Sequence, residues 1–190
     1  MIQPPMPERR FLFLQGPHGP FFHQLAGQLI AAGAKVWRVG FNRGDQAFWR
    51  RGNYIAFRDG PEAWPGCLEA LLSDHAITDL VLYGDVRPIH ATAIRIGRAR
   101  AITLHVFEEG YLRPHWVTYE RGGSNGNSRL MTLGVDQMRA ALARPGLAQP
   151  MAPAHWGDMR EHMFYGALYH FFVMAMNGGY RNFRPHRGIS

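Results

Sequence analysis

The sequence predicts an α/β fold in which helices surround an open parallel sheet of Rossmann type. Short apolar runs alternate with segments whose apolar residues recur at helical spacing, and Gly or Pro separates most of them. This alternation is typical of β-α-β units, whose strands run parallel. With 190 residues, of which 46% are hydrophobic, the chain is long enough to form one domain with a buried core.

The predicted elements of the first 110 residues follow one another in chain order. The run "RFLFLQG" is short, apolar and followed by Pro, which indicates a buried strand. The next segment has helical spacing and ends at Gly33, and Pro61 and Pro88 stand at the starts of two further helical segments. The predicted strands cover 10–16, 34–40, 53–59, 78–85 and 101–110, and the predicted helices cover 21–33, 61–75 and 88–101.

The remaining part of the chain is less regular. Residues 111–133 are polar and Gly-rich, a long connection typical of a functional loop. A short helix is predicted at 136–146, and a helix at 158–177 is apolar on most faces, so it requires a covering partner. We therefore divide the chain into a Rossmann-like domain at 1–150 and a linker with a helix at 151–190.

The composition narrows the classes of function. The net charge is +7, and Lys35 is the only lysine. Arg makes forked contacts with phosphates and carboxylates, which favours an anionic ligand, although a GC-rich genome would also produce this bias. The basic residues form no dense run, which argues against nucleic-acid binding.

Several site types lack their sequence patterns. Cys67 is the single cysteine, which excludes a disulfide framework and a Cys-based metal site. The ten histidines have no metal-ligand spacing, so no metal is expected, and the G-x-S-x-G elbow of serine hydrolases does not occur. The beginning "MIQPPMPERR" is unlike a signal peptide, and no stretch approaches the roughly 20 apolar residues of a membrane span. A cytoplasmic location is expected.

Two acidic segments follow predicted strands at the edge where open α/β sheets bind their ligands. In "YGDVRPIH" at 83–90, Asp85, Arg87 and His90 could supply a nucleophile or base, an anion clamp and a proton carrier. The alternative is that Asp85 only caps the helix that begins at Pro88. In "FEEG", Glu108 and its neighbour should face opposite ways, so only one would reach a cleft.

Two Gly-rich segments are candidates for ligand binding. "QGPHG" at 15–19 offers backbone N–H groups to an anion near a helix start, or it makes only a tight turn. "ERGGSNGNSR" at 120–129 could wrap a polar ligand, or it is a flexible surface loop.

Four segments resemble the capsule polysaccharide biosynthesis and export family over about residues 10–190. They are "FLQGPHGPFFHQLA", "YGDVRPIHATAI", "FEEGYLRPHWVTYERGGSNGNS" and "NFRPHRG". The family contains β-Kdo glycosyltransferases, which build a Kdo linker on a phosphatidylglycerol-type lipid. The resemblance implies a GT-B architecture, in which two Rossmann-like domains face each other across a cleft. This chain would then be the N-terminal, acceptor-side half, and its last helix would lead into a second domain that this sequence does not include.

The resemblance also implies a mechanism and partners. Kdo would pass from CMP-Kdo, with no further cofactor, to a lipid or glycolipid acceptor with retention at the anomeric carbon. The chain would be peripheral on the anionic inner membrane, with other capsule assembly proteins as candidate partners and no nucleic acid. By itself, this part would have little activity. The alternatives are a noncatalytic sugar- or lipid-phosphate-binding module and an unrelated nucleotide-binding α/β enzyme.

The candidate site residues fall into two groups. The nucleophile would be Asp85, with Glu109 or Glu108 as acid/base and His90 as proton carrier. The expected substrate-binding residues are Gly16, Pro17, His18, Gly84, Arg87, Gly110, Arg113, Arg121, Gly122 and Asn125.

Overall fold

The computed structural model describes residues 8–110, 116–143 and 157–181. Its six strands are β1 (Arg10–Phe13), β2 (Lys35–Gly40), β3 (Tyr54–Ala56), β4 (Asp79–Tyr83), β5 (Thr103–Glu109) and β6 (Val117–Arg121). Its α-helices are α1 (Phe21–Ala31), α2 (Arg43–Ala47), α3 (Trp64–Asp74), α4 (Pro88–Ala99), α5 (Val135–Leu142) and α6 (Arg160–Ala175).

The strands form one sheet in the order β3-β2-β1-β4-β5-β6. The first five strands pair in parallel, and β6 pairs antiparallel with β5. The chain therefore starts in the middle of the sheet, builds outward through β3, and returns to the other side of β1 with β4. This reversal of direction is the arrangement of Rossmann-type sheets, and it confirms the predicted fold class.

Both faces of the sheet are covered, which explains why its central strands are apolar without alternation. On one face, Leu12 and Leu80 pack with Trp64 of α3. On the other face, Phe13 packs with Phe22 of α1. The Trp64 indole Nε1 donates to the carbonyl of Ile89 at 2.9 Å and so connects α3 to the beginning of α4.

The strand β6 corrects the prediction of a continuous polar loop at 111–133. It is the edge strand, and its residues alternate between exposed and half-buried positions. An edge strand that is covered on one face needs few apolar residues, so its sequence reads as a loop. The Tyr119 ring packs on Phe107 of β5, with 4.9 Å between the ring centroids.

The short helix α2 was not predicted, since five residues are too few to show a helical period. Asn42 precedes it and accepts a hydrogen bond from the Asp45 backbone N–H at 2.8 Å, as expected of an N-cap. The helix α6, which was predicted, packs against α2 and buries Tyr169 and Val173.

A buried carboxylate ties the beginning of β4 to β5 and β6. Asp79 lies 2.8 Å from His105 Nε2, and His105 Nδ1 lies 2.7 Å from the Tyr119 hydroxyl. Arg9 Nε and the Thr78 hydroxyl donate to the other carboxylate oxygen at 3.1 and 2.6 Å. Burial alone would raise the pKa of Asp79, but the hydrogen bonds from His105, Arg9 and Thr78 outweigh it and lower the pKa to about 2.

This low pKa predicts acid sensitivity that depends on Asp79. When the pKa of a carboxyl is lower in the folded than in the unfolded protein, its ionised form stabilises the fold. This stabilisation is complete at a pH above the unfolded-state pKa and is lost as the pH falls through the folded-state pKa. A pKa of about 2 against the usual 3.8 corresponds to about 2 kcal/mol, lost between about pH 5 and pH 2. In urea unfolding, the wild type should lose about 2 kcal/mol more over this range than Asp79→Asn. Asp59→Asn, at an exposed carboxylate, should follow the wild type. Parallel curves for wild type and Asp79→Asn would contradict the prediction.

Candidate functional site

The carboxyl ends of β4 and β5 open onto a cleft of about 390 Å³. The Gly84 N–H donates to the carbonyl of Phe107 at 2.8 Å, which extends the strand pairing to the edge of the sheet. The residues that line this cleft come from the ends of the two strands, the loop before α4, β6 and the loop after β6. The lining residues are Tyr83, Gly84, Val86, Arg87, Glu108, Glu109, Gly110, Thr118 and Asn125.

Both glutamates at the end of β5 line this cleft. Strand alternation had predicted that only one of them would reach the cleft, whereas both are among its lining residues. Glu108 accepts a short hydrogen bond from the Asn125 amide. Glu109 Oε1 lies 3.6 Å from His162 Nε2 of α6. The cleft therefore has two carboxylates, each beside a polar side chain from a different element.

Two glycines line the cleft. Gly84 has φ +74°, a left-handed conformation that favours glycine, and a Cβ there would approach only Glu108, at 3.8 Å. A Cβ on Gly110 would lie 2.4 Å from the carbonyl oxygen of Trp116, so no side chain fits between β5 and the start of β6. A ligand can therefore reach the backbone at Gly84.

The expected nucleophile Asp85 lies on a second cavity, also of about 390 Å³. The residue is 4% exposed, and its Oδ2 accepts from the Ser124 backbone N–H at 2.9 Å and from Asn127 Nδ2 at 3.1 Å. The position before α4 is Arg87, with no side-chain cap, so the interpretation of Asp85 as a helix cap is wrong. The second cavity is lined by Asp85, Ala91, Ile94, Arg95, Arg98 and Asn127.

The structure buries His90 completely. Its Nδ1 lies 2.8 Å from the carbonyl oxygen of Gly84, and its Nε2 is buried without a hydrogen-bond partner among the described residues. Burial, and then the charge of Arg87, lower the pKa of His90 to about 3. A neutral ring beside a carbonyl must carry its proton on Nδ1 and donate it to Gly84. His90, which was expected to carry protons in the cleft, therefore lies beneath it and supports the Gly84 turn.

The loop after β6 is held by several hydrogen bonds. Besides the contacts to Asp85, the Ser128 hydroxyl makes a short hydrogen bond to Glu120, and Arg98 Nη2 donates to the carbonyl of Gly122 at 2.8 Å. Of the three substrate-binding candidates here, Asn125 reaches the cleft, whereas Gly122 and Arg121 do not line it. Arg121 Nε instead lies 3.4 Å from the Tyr119 hydroxyl.

The loop "QGPHG" lies against α6. A Cβ on Gly16 would lie 2.6 Å from the Phe22 ring, so packing requires glycine there. The His18 ring contacts Tyr169 and His170 of α6, with centroid distances of 4.5 and 5.0 Å. Gly16, Pro17 and His18 therefore do not line the cleft. Arg113 lies outside the described residues.

Four contributors were missed by the sequence reasoning, and two of them, Tyr83 and Val86, are lining residues next to predicted ones. Thr118 of β6 lines the cleft, but a polar residue in a segment interpreted as a loop gave no signal. Gln15 accepts from Arg87 Nη1 at 2.7 Å, and its partner lies 72 residues away in sequence, so no local pattern links them.

Comparison with known proteins concerns this same region. Residues 78–169, from the start of β4 to Tyr169 of α6, match the family described as Capsule polysaccharide biosynthesis protein. The match covers just under half of the chain, which is therefore similar to the capsule polysaccharide biosynthesis family over this region. The part that is similar to the family thus contains all the lining residues of both cavities.

Two curated bacterial relatives carry the same region. The chain is 40% identical over 122 residues to the capsule polysaccharide export protein KpsS of Escherichia coli, an alignment that covers 64% of this chain and 31% of KpsS. It is also 40% identical over 121 residues to the capsule polysaccharide modification protein LipB of Neisseria meningitidis serogroup A, covering 63% of this chain and 29% of LipB. The alignments thus span less than a third of the length of these relatives. No solved structure matches the chain.

The burial of His90 predicts that its ring stays neutral when surface histidines become charged. A His whose folded pKa is below its unfolded value makes stability fall as the pH drops from about 6.5 towards 3, because only the unfolded chain takes up the proton. In long-range ¹H–¹⁵N NMR spectra, the ring signals of His90 are identified as those that disappear in His90→Gln. These signals should show the neutral Nδ1–H tautomer from pH 8 to pH 5. An inflection for this ring near pH 6.5 would contradict the burial.

Proposed function

We propose that this chain forms the acceptor-side domain of a capsule glycosyltransferase that transfers Kdo from CMP-Kdo to a phosphatidylglycerol-type or Kdo acceptor, with retention. The observation that carries the proposal is the cleft at the carboxyl edge of β4 and β5, where two glutamates and Arg87 line one space. The family match and the relatives named for capsule export and modification support a role in capsule assembly.

The proposed chemistry needs carboxylates in two roles. In a retaining transfer, a carboxylate attacks the anomeric carbon while the bond to the phosphate of CMP breaks, and CMP leaves with the bonding electrons. The acceptor hydroxyl then attacks the same carbon, the carboxylate leaves, and a base takes the hydroxyl proton. Sugar configuration is retained because the carbon is inverted twice.

The residues for these roles differ in their surroundings. Asp85 is the proposed nucleophile, since the Ser124 N–H and the Asn127 amide orient its carboxylate. It lines the second cavity and lies between Gly84 and Val86, two lining residues of the cleft. Glu109 and Glu108 are the proposed acid and base for the acceptor hydroxyl, because both line the cleft. Arg87, at the cleft, would bind the carboxylate of Kdo or the phosphate of the acceptor lipid.

The proposal concerns a longer form of the protein, because the relatives extend well beyond the matched region. In a GT-B enzyme, the nucleotide of the donor binds mainly to the second domain. The described residues of α6 leave apolar side chains exposed, namely Met163, Phe164, Phe171 and Met174. We propose that this outer face of α6 packs against the second domain, and that residues 1–190 alone have little transferase activity.

Removing the charge of Asp85 should stop turnover in the longer form. Asp85→Asn keeps the shape of the side chain and its contact with the Ser124 N–H but removes the nucleophile, so we expect at least about a hundredfold loss in CMP release from CMP-Kdo. Asp59→Asn, at an exposed carboxylate, is the matched control and should keep the wild-type rate. Circular dichroism of both variants checks the fold.

Two other outcomes would change the assignment. A near-normal rate for Asp85→Asn with a large loss for Glu109→Gln would move the nucleophile to the cleft. No CMP release by the wild-type longer form, with binding of sugar or lipid phosphate intact, would favour the noncatalytic module.

We also propose that the protein binds the cytoplasmic face of the inner membrane peripherally, where a lipid acceptor would lie. Among the described residues, no helix is long and apolar enough to cross a bilayer. The net charge of +7 favours an anionic surface, because each basic residue near such a surface contributes about 1 kcal/mol of attraction.

Binding should therefore depend on lipid charge and on salt. We expect the chain to co-sediment with vesicles that contain phosphatidylglycerol, to bind pure phosphatidylcholine vesicles at least about tenfold more weakly, and to dissociate as the salt concentration rises. Equal co-sedimentation with neutral and anionic vesicles would refute charge-driven membrane binding.

A further inference from the structure

A row of hydrogen bonds runs from a buried ion pair to the cleft. It connects Asp45, Tyr169, Gln15 and Arg87, with Arg38 as the ion-pair partner of Asp45. We propose that Gln15 and Tyr169 are positioning residues that hold the Arg87 guanidinium at the cleft, so that the docking of α6 orients the anion-binding group. The functional role given to Arg87 rests on the proposed function above, whereas the coupling itself is a property of the fold.

The buried end of this row is a carboxylate surrounded by donors. Asp45 is fully buried, and its Oδ1 lies 3.3 Å from Arg38 Nη2 and 3.2 Å from the Tyr169 hydroxyl. The Phe41 backbone N–H donates to its Oδ2 at 2.9 Å. Burial raises the pKa of Asp45, and the Arg38 guanidinium opposes that rise. Because every one of these neighbours can donate, the geometry suits an ionised carboxylate.

The chemistry of the end groups fixes the direction of every bond. Arg87 has only donors, so the oxygen of the Gln15 amide must face Nη1, at 2.7 Å. The amide nitrogen of Gln15 then faces the Tyr169 hydroxyl, at 3.2 Å, and the hydroxyl must accept. Its own proton therefore points to Asp45. Asn42 donates to the same hydroxyl at 2.8 Å, which fills its remaining acceptor position.

This arrangement matters because Arg87 is otherwise exposed. A long, solvated Arg side chain loses rotamer freedom when it binds an anion, and that loss weakens binding. The Gln15 amide restricts the guanidinium before a ligand arrives. Gln15 is itself held by Tyr169, a buried residue of α6, so the helix outside the sheet determines the orientation of a group at the cleft.

Tyr169→Phe tests the row by removing one hydroxyl. The ring should still pack on His18 and Phe48, so the helix should stay docked. We expect the affinity for inorganic phosphate, measured by calorimetric titration of the chain, to fall about three- to tenfold, the range expected for one lost hydrogen bond. Gln15→Met, which breaks the row without touching the buried ion pair, should give a similar loss. Arg87→Met should remove most of the binding.

Tyr165→Phe is the matched control. This tyrosine is on the same helix, its ring packs on Phe48, and its hydroxyl is hydrogen-bonded to Glu161 instead of the row. Its phosphate affinity should equal that of the wild type. If Tyr169→Phe and Gln15→Met also keep wild-type affinity, the proposed positioning is overturned.

A double-mutant cycle separates the positioning from the function of the cleft. The unfolding constants of Arg87→Met, Tyr169→Phe and the double variant are measured in urea. The change in the double variant should differ from the product of the two single changes by at least about twofold, the lower limit for residues in one network. Multiplicative behaviour would overturn the proposal. A wild-type chain that binds no phosphate but shows this coupling would support the positioning of Arg87 and count against an anion-binding cleft.

Discussion

The parallel pairing of β4 with β5 is the constraint on which the candidate site depends. Parallel strands place their carboxyl ends at the same edge of a sheet, so the segments after Tyr83 and Phe107 must meet there. The Gly84 N–H continues the pairing for one more hydrogen bond, and Gly84 then turns the chain into the loop before α4. Glu108 and Arg87 share a cleft because this register brings their backbones together.

The loop after β6 depends on that pairing through Asp85. This residue accepts hydrogen bonds from Ser124 and Asn127, on either side of Asn125, and so fixes the segment that sends Asn125 to Glu108. One carboxylate thus lines the second cavity and holds the loop that brings Asn125 to the cleft. Asp85 can both hold the loop and take part in chemistry, because its hydrogen bonds with Ser124 and Asn127 are both made by the same oxygen, Oδ2.

The sequence predicted the parts of the structure that depend on local patterns. The strands β1, β4 and β5 and the helices α1, α3 and α4 have clear apolar periodicity. The candidates Glu108, Glu109, Gly84 and Arg87 follow from their positions at or after the ends of strands. The grouping of the candidates was harder to predict. Whether Asp85 lies in the cleft, and whether His90 is buried, depends on how the loop after β6 and α4 pack, and one sequence has no signal for such contacts between distant residues.

The polar interior beneath α6 shows what such contacts contribute. A buried ion pair such as Arg38–Asp45 adds little net stability, because its desolvation offsets its attraction. Its contribution here is geometric. An apolar residue in place of Tyr169 could bury similar area against α2 and keep α6 docked, but it would leave the Gln15 amide without the hydroxyl that orients it. The Tyr169 hydroxyl donates to Asp45 and accepts from Gln15 and Asn42, so the directions of its hydrogen bonds are fixed. Through Gln15, these directions also fix the orientation of Arg87 at the cleft.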